Sequence, residues 1–317
     1  MYPYNFKKGQ TIQTNSKGVS VDRAFLAHIN IPKALAADAD GIHAAFSSSA
    51  AAVASSAVVK AASAATDILT IAFPKSLGNT PNGLKVLLTT AANNTLAVSK
   101  TEATGTINIS LANTTAANNT AALVEAAIRT LTTVAGISVA AVTCTAGEDW
   151  DTAAIATGET AAVTFAGGIT DVVTTGITNP AVPRNITATA GGTPADIGAV
   201  AVTIIGTNYN DEVISEVLPA FTADTTAIKA GALAFKTVTS ISMPAHDGTG
   251  ATVTIGWGDI FGLPYLLYAD ELVFVKLFDK VVDAATVVPD AADIEKNTVD
   301  MAGTPDGTKD IDLYILV

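Results

Sequence analysis

Three histidines, His28, His43 and His246, one cysteine, Cys144, and several acidic turns are the residues of this 317-residue chain best equipped to hold a metal or move a proton. A zinc site needs ligands gathered at short, regular spacing. The three histidines are scattered, none has a second His or Cys one helical turn away, and each reads as a surface or strand residue. A lone cysteine excludes an intrachain disulfide and a Cys-rich metal site, so Cys144 reads as a small apolar strand residue. ADADG (37–41) and PDGTKD (305–310) resemble fragments of calcium loops but lack the carboxylate ladder closed by a bidentate Glu, and they read as acidic turns. In PAHDGTGATVTIG, Asp247 lies beside His246, yet the Asp-Gly step reads more simply as a hairpin turn between Met243 and Thr252. The chain contains no Gly-x-Ser-x-Gly elbow, phosphate-binding Gly-Lys-Ser/Thr loop or dinucleotide-binding glycine pattern. No catalytic, cofactor-binding or metal-ligating residue is assigned, and the reading is a protein that is not an enzyme.

The elements that would position such residues are mostly strands. Hydrophobic residues make up 49% of the chain and charged residues only 15%, against about 25% charged in an average soluble domain. Much of the surface must then be Ala, Thr, Ser, Asn and Gly, which suits broad contact with other protein. The 29 acidic residues outnumber the 17 basic ones, for a net charge of −12, and this disfavours nucleic acid as a partner. The Ala-rich stretch 44–65 carries six serines and Lys60 and is not read as a membrane span. MYPYNFKKGQTIQTNSKG has no apolar run behind its lysines and does not read as a secretory signal.

Residues 1–22 show no period and read as an extended arm, after which Phe25, Ala27, Ile29 and Ile31 alternate as a strand that Pro32 ends. An Ala/Ser/Val junction follows. From Asp67, ILTIAF, GLKVLLTT, TINISLA and ISVAAVTCT read as short strands. Between the last two, Leu123, Ala127, Leu131 and Val134 predict one helix, capped by Asn119 or Thr120 and ended by Gly136. After Gly168 the chain is all β. Pro180 and Pro183 mark a crossover, and Ile186, Ala188 and Ala190 share one face of the strand that follows, with Thr187 and Thr189 on the other. IIGTNYNDEVISEV predicts a hairpin with Gly206, Asn208 and Asn210 available for positive φ, and with Glu212 and Glu216 both facing water. An apolar strand, DLYILV, at the end of the chain favours a sandwich or barrel over an open sheet.

The text GITNPAVPRNITATA, VAVTIIGTNYNDEVISEVLPAF, AFKTVTSISMPAHDGTGATVTIGWGDIFGLPY and DGTKDIDLYILV resembles a family of virion structural proteins of tailed bacteriophages, the accessory or decoration proteins of the head. The similarity begins at FLAHINIPKALAADADGIHAAF and resumes only after Gly168. The resulting division is an N-terminal arm (1–22), a β-rich anchoring domain (23–47 and 169–317) and an inserted α+β domain (48–168) carrying one helix. The fold class is mainly β, a sandwich or barrel-like body with that insertion. The resemblance implies a protein on the outer surface of the capsid, partnered by the major capsid protein and by its own copies, a trimer being the guess from capsid geometry. Neither nucleic acid nor membrane is expected as a partner. Tyr2, Tyr4, Phe6, Lys7 and Lys8 of the arm are the expected contacts with the shell or a neighbouring subunit. A tail, baseplate or fibre component is the structural alternative. A carbohydrate-binding adhesin meeting host-surface glycans, with Trp150 and Trp257 as stacking platforms, is the alternative of another class.

Overall fold

The computed structural model describes residues 11–14, 19–22, 26–60, 67–148, 150–153 and 161–316. They form a mainly β protein with one helix longer than a single turn. The segment read as an extended arm holds a hairpin, Thr11–Thr14 against Val19–Asp22. Its β-branched Thr and Val favour extended backbone even without an apolar period. Tyr2, Tyr4, Phe6, Lys7 and Lys8 lie outside the described residues.

Residues from Ala57 to Phe165 enclose a core of their own. Three antiparallel strands, Ser56–Lys60, Ile68–Ala72 and Thr143–Ala146, form one sheet. Four more, Lys85–Thr90, Ala97–Thr101, Thr106–Leu111 and Val163–Thr164, form a second, in which Lys85–Thr90 and Thr106–Leu111 run parallel. The helix Ala121–Arg129 starts as expected, with the Thr120 hydroxyl accepting from the Leu123 N–H at 3.4 Å. Its buried stripe is Ala121, Val124 and Ile128, one position along from the expected Leu123 and Ala127, and Leu123 is exposed. Leu131 and Val134 lie beyond the helix, which ends before Thr132 turns to φ 60°. Val124 and Ile128 are fully buried, each contributing about 1.5–3 kcal/mol of apolar transfer, and this decides which face meets the sheets.

The remainder is built on the twelve-residue strand Ala251–Gly262. It lies in a six-stranded sheet beside Arg184–Gly192 and pairs also with Asp38–Ser47 and Thr298–Asp300. Its first half packs Val253 and Ile255 against Ile204, Ile241 and Met243 of a four-stranded sheet, ordered Thr170–Val173, Thr237–Pro244, Thr203–Thr207, Val213–Val217. Its far end packs Phe261 against Ile311, Leu313 and Ile315 of the terminal strand Ile311–Leu316, which lies between Val273–Phe278 and Leu26–Ile31. The body is therefore two sheet-on-sheet sandwiches sharing one strand. At mid-strand the partner backbone comes so close that a Cβ on Gly256 would lie 1.7 Å from the Asp38 carbonyl oxygen. Only glycine fits there.

Two expected turns differ. Asp38 and Asp40 open a strand and do not form an acidic turn. Asp247-Gly248 does not close a hairpin, because Thr237–Pro244 and Ala251–Gly262 belong to different sheets, and the turn carries the chain from one layer of the sandwich to the other.

Candidate functional site

The outer side of the four-stranded sheet is the most distinctive surface of the body. Strand register places Val172, Ser242, Thr203 and Val217 in one row across it. Ser240, Ile205 and Ser215 form the next, and Thr237, Thr207 and Val213 the third. None of these ten side chains carries a charge. Val213, Val217 and Val172 are 78%, 65% and 59% exposed. The Thr207 and Thr237 hydroxyls bond each other at 2.7 Å, and the Thr239 hydroxyl donates to the Ile205 carbonyl at 3.1 Å, so part of the polar capacity of the face is already used within it.

Glu212 is exposed, as expected, but the structure corrects the expectation for Glu216. Val213, Ser215 and Val217 point to solvent, while Ile214 enters the core. Glu216 turns the same way as Ile214, and its carboxylate accepts the Ala232 N–H at 2.7 Å and the Leu233 N–H at 3.4 Å. Those donors lie where the ladder between Arg184–Gly192 and Ala227–Phe235 slips register. The same irregularity leaves the Gly231 carbonyl to accept from the Asn185 side-chain amide at 3.1 Å. A bulge strips backbone groups of their partners, and Glu216 and Asn185 replace them. Burial raises the Glu216 pKa and the two N–H bonds oppose it. In the hairpin itself the positive φ falls on Asp211, not on Gly206, Asn208 or Asn210.

On the terminal sheet His28 stacks on Tyr314 with centroids 4.5 Å apart, and its Nε2 lies 2.8 Å from the Asp312 carboxylate. Asn30 donates to the same carboxylate oxygen at 2.9 Å. Burial pushes the Asp312 carboxyl up, but the bonds from Asn30 and His28 outweigh it and its pKa falls. His43 holds its neighbour's carbonyl, Ala44 O, through Nδ1 at 2.6 Å. His246 departs from the surface reading and is fully buried, with Nδ1 accepting from the Gly198 N–H at 3.1 Å. Burial lowers its pKa against the opposing pull of Asp247 and Asp171.

The structure does not bring the three histidines together, and among the described residues no cluster of three or more His, Cys, Asp or Glu could hold a metal. Among them no helix is long and apolar enough to cross a membrane. Cys144 sits on a strand and packs against the first core. Trp150 is fully buried in that core, its Nε1 donating to the Asn119 carbonyl at 2.9 Å, so it offers no platform to a sugar. Trp257 is half-buried across Gly41 and donates to the Ala36 carbonyl at 3.1 Å. The uncharged face was missed in the sequence because Val213 and Val217 read more naturally as core than Glu216. The available signal was in the neighbouring strands: TIIGT begins and ends in Thr, and TVTSIS carries Thr or Ser at four of its six positions. No family model, curated protein or solved structure matches the chain.

Proposed function

We propose that this protein is a head decoration protein of a tailed bacteriophage, held on the outside of the capsid by the major capsid protein and stabilising the shell. The observation that carries this reading is the uncharged face of the four-stranded sheet. Three valines and an isoleucine stand exposed there among threonines and serines. Seating charges against a partner costs desolvation energy that a contact must recover, and a face of methyls and hydroxyls avoids that cost over a broad area. The residues also fit a permanent position. They sit on paired strands of a closed sandwich, so little order remains to be imposed on binding.

The resemblance to virion proteins supplies the identity of the partner, and the sheet face supplies a means of contact. The residues from Ala57 to Phe165, with their own core, serve in this reading as the displayed domain, while the body anchors it. Self-association in a small symmetric ring accompanies the attachment. Co-sedimentation of the purified chain with empty phage heads tests the proposal. Binding that saturates at a fixed number of copies per head supports it, and binding to purified tails with none to heads overturns it.

A further inference from the structure

The strand Arg184–Gly192 begins with a cation drawn inside the protein. Arg184 is 2% exposed, its Nη1 donates to the Leu35 carbonyl at 2.9 Å, and its guanidinium lies 4.5 Å above the Phe261 ring. Its Nε and Nη2 are buried and have no hydrogen-bond partner in the protein. Burial brings the guanidinium pKa down to about 10, opposed by the nearby Asp259. Idle donors on a buried cation are costly. Nε and Nη2 together form the edge of a guanidinium that offers two parallel N–H groups, the geometry that fits a carboxylate.

Arg184 also lines a cavity of about 50 Å³, where the Pro180–Pro183 crossover meets the loop after the strand Leu26–Ile31. Ile31, Pro32, Leu35, Val182 and Trp257 supply apolar walls, and exposed Lys33 is a second cation in the lining, which includes no carboxylate. One water needs about 10–15 Å³ of such space, so the cavity admits a carboxylate on a short stem but no sugar ring or nucleotide. The loop is fixed before anything binds. The Lys33 N–H donates to the Asp310 carboxylate at 2.8 Å, the Ala34 N–H donates to the Lys309 carbonyl at 2.9 Å, and Lys33 holds a φ of 48°.

We infer that this cavity is a carboxylate-binding site in which Arg184 and Lys33 supply the charge. The carboxylate is either a free small acid or an Asp or Glu side chain of a second copy, and the site does not depend on which particle the protein belongs to. The test follows the Arg184 Nε–H resonance of the full-length chain by ¹H–¹⁵N NMR during titration with acetate, with chloride as the ionic-strength control and sedimentation velocity run alongside. A saturable shift with acetate, absent with chloride and at constant mass, identifies a free-acid site. A resonance that moves with protein concentration, and returns as acetate lowers the sedimenting mass, identifies the side chain of a second copy.

In either case Lys33→Gln, an exposed change that leaves the core alone, weakens the effect roughly tenfold by removing one of two charged contacts. Arg184→Lys, followed through the Lys33 backbone N–H resonance in place of the lost Arg184 signal, abolishes the acetate response if the variant folds, and Lys33→Gln keeps the test decisive if it does not. An Arg184 resonance that ignores both acetate and protein concentration, or responds equally to chloride, overturns the inference.

Discussion

Glu216 reaches from the edge strand of one sheet to accept the backbone N–H of Ala232, at 2.7 Å, on the edge strand of the facing sheet. That bond ties the two layers of the sandwich together at the point where the Ala227–Phe235 ladder is irregular. It also explains why Val213 and Val217, on the opposite side of the same strand, face outward.

Glu216→Ala strips the exposed Ala232 N–H and the part-buried Leu233 N–H of their acceptor, and we expect a loss of about 1 kcal/mol. Urea unfolding at neutral pH measures it. Glu216→Gln keeps one amide oxygen as an acceptor and should recover much of the loss. Equal destabilisation by both variants would contradict the account.

His246 sets a second dependence, on pH. Burial holds its folded pKa below the unfolded value, so the unfolded chain takes up a proton first as the solution is acidified. Stability from this residue is complete above about pH 6.5 and falls as the pH drops below it. The urea midpoint should decrease between about pH 7.5 and 5.5. His246→Asn, which retains an acceptor near the Gly198 N–H, should flatten that slope. Glu216, whose pKa is raised, acts in the opposite sense: its ionisation is harder in the folded chain, so the proton-linked part of its contribution falls as pH rises above the ordinary carboxylate range, while its N–H bonds remain.

Cys144 should be chemically quiet in the folded chain. Burial, with help from the Glu125 carboxylate and against Arg129, pushes its thiol pKa up to about 12. Only the thiolate attacks a disulfide reagent, so labelling at pH 8 should be about a thousandfold slower than for an ordinary thiol. Denaturant should restore the ordinary rate. Rapid labelling of the native protein would place the thiol in a different environment.

Much of the β organisation was legible because period-two patterns and turn residues are local. Ile186, Ala188 and Ala190 alternate in sequence, and all three are buried in the first sandwich core. The errors fall where a long-range partner overrides the local pattern. Glu216 points inward because a bulge on another strand needs its carboxylate. Val124 and Ile128, not Leu123 and Ala127, face the sheets because the helix begins at Ala121 and ends by Thr130. His246 looks like part of a surface turn, yet the turn crosses between layers and carries the ring into the interior. The Arg184 cavity joins segments nearly 150 positions apart, Arg184 with Leu35, which no local spacing could reveal.

The central claim is that the uncharged sheet face seats the protein on a capsid. Val217→Glu places a charge on that face at a position already 65% exposed, and such a change should alter stability by no more than about 0.5 kcal/mol. The most direct measurement is electron microscopy of empty heads mixed with the native chain and with this variant. The account predicts density at regular lattice positions for the native chain, with the Val172–Val217 row against the shell, and its loss for the folded variant. Heads left bare by the native chain, or decorated equally by both proteins, would contradict it.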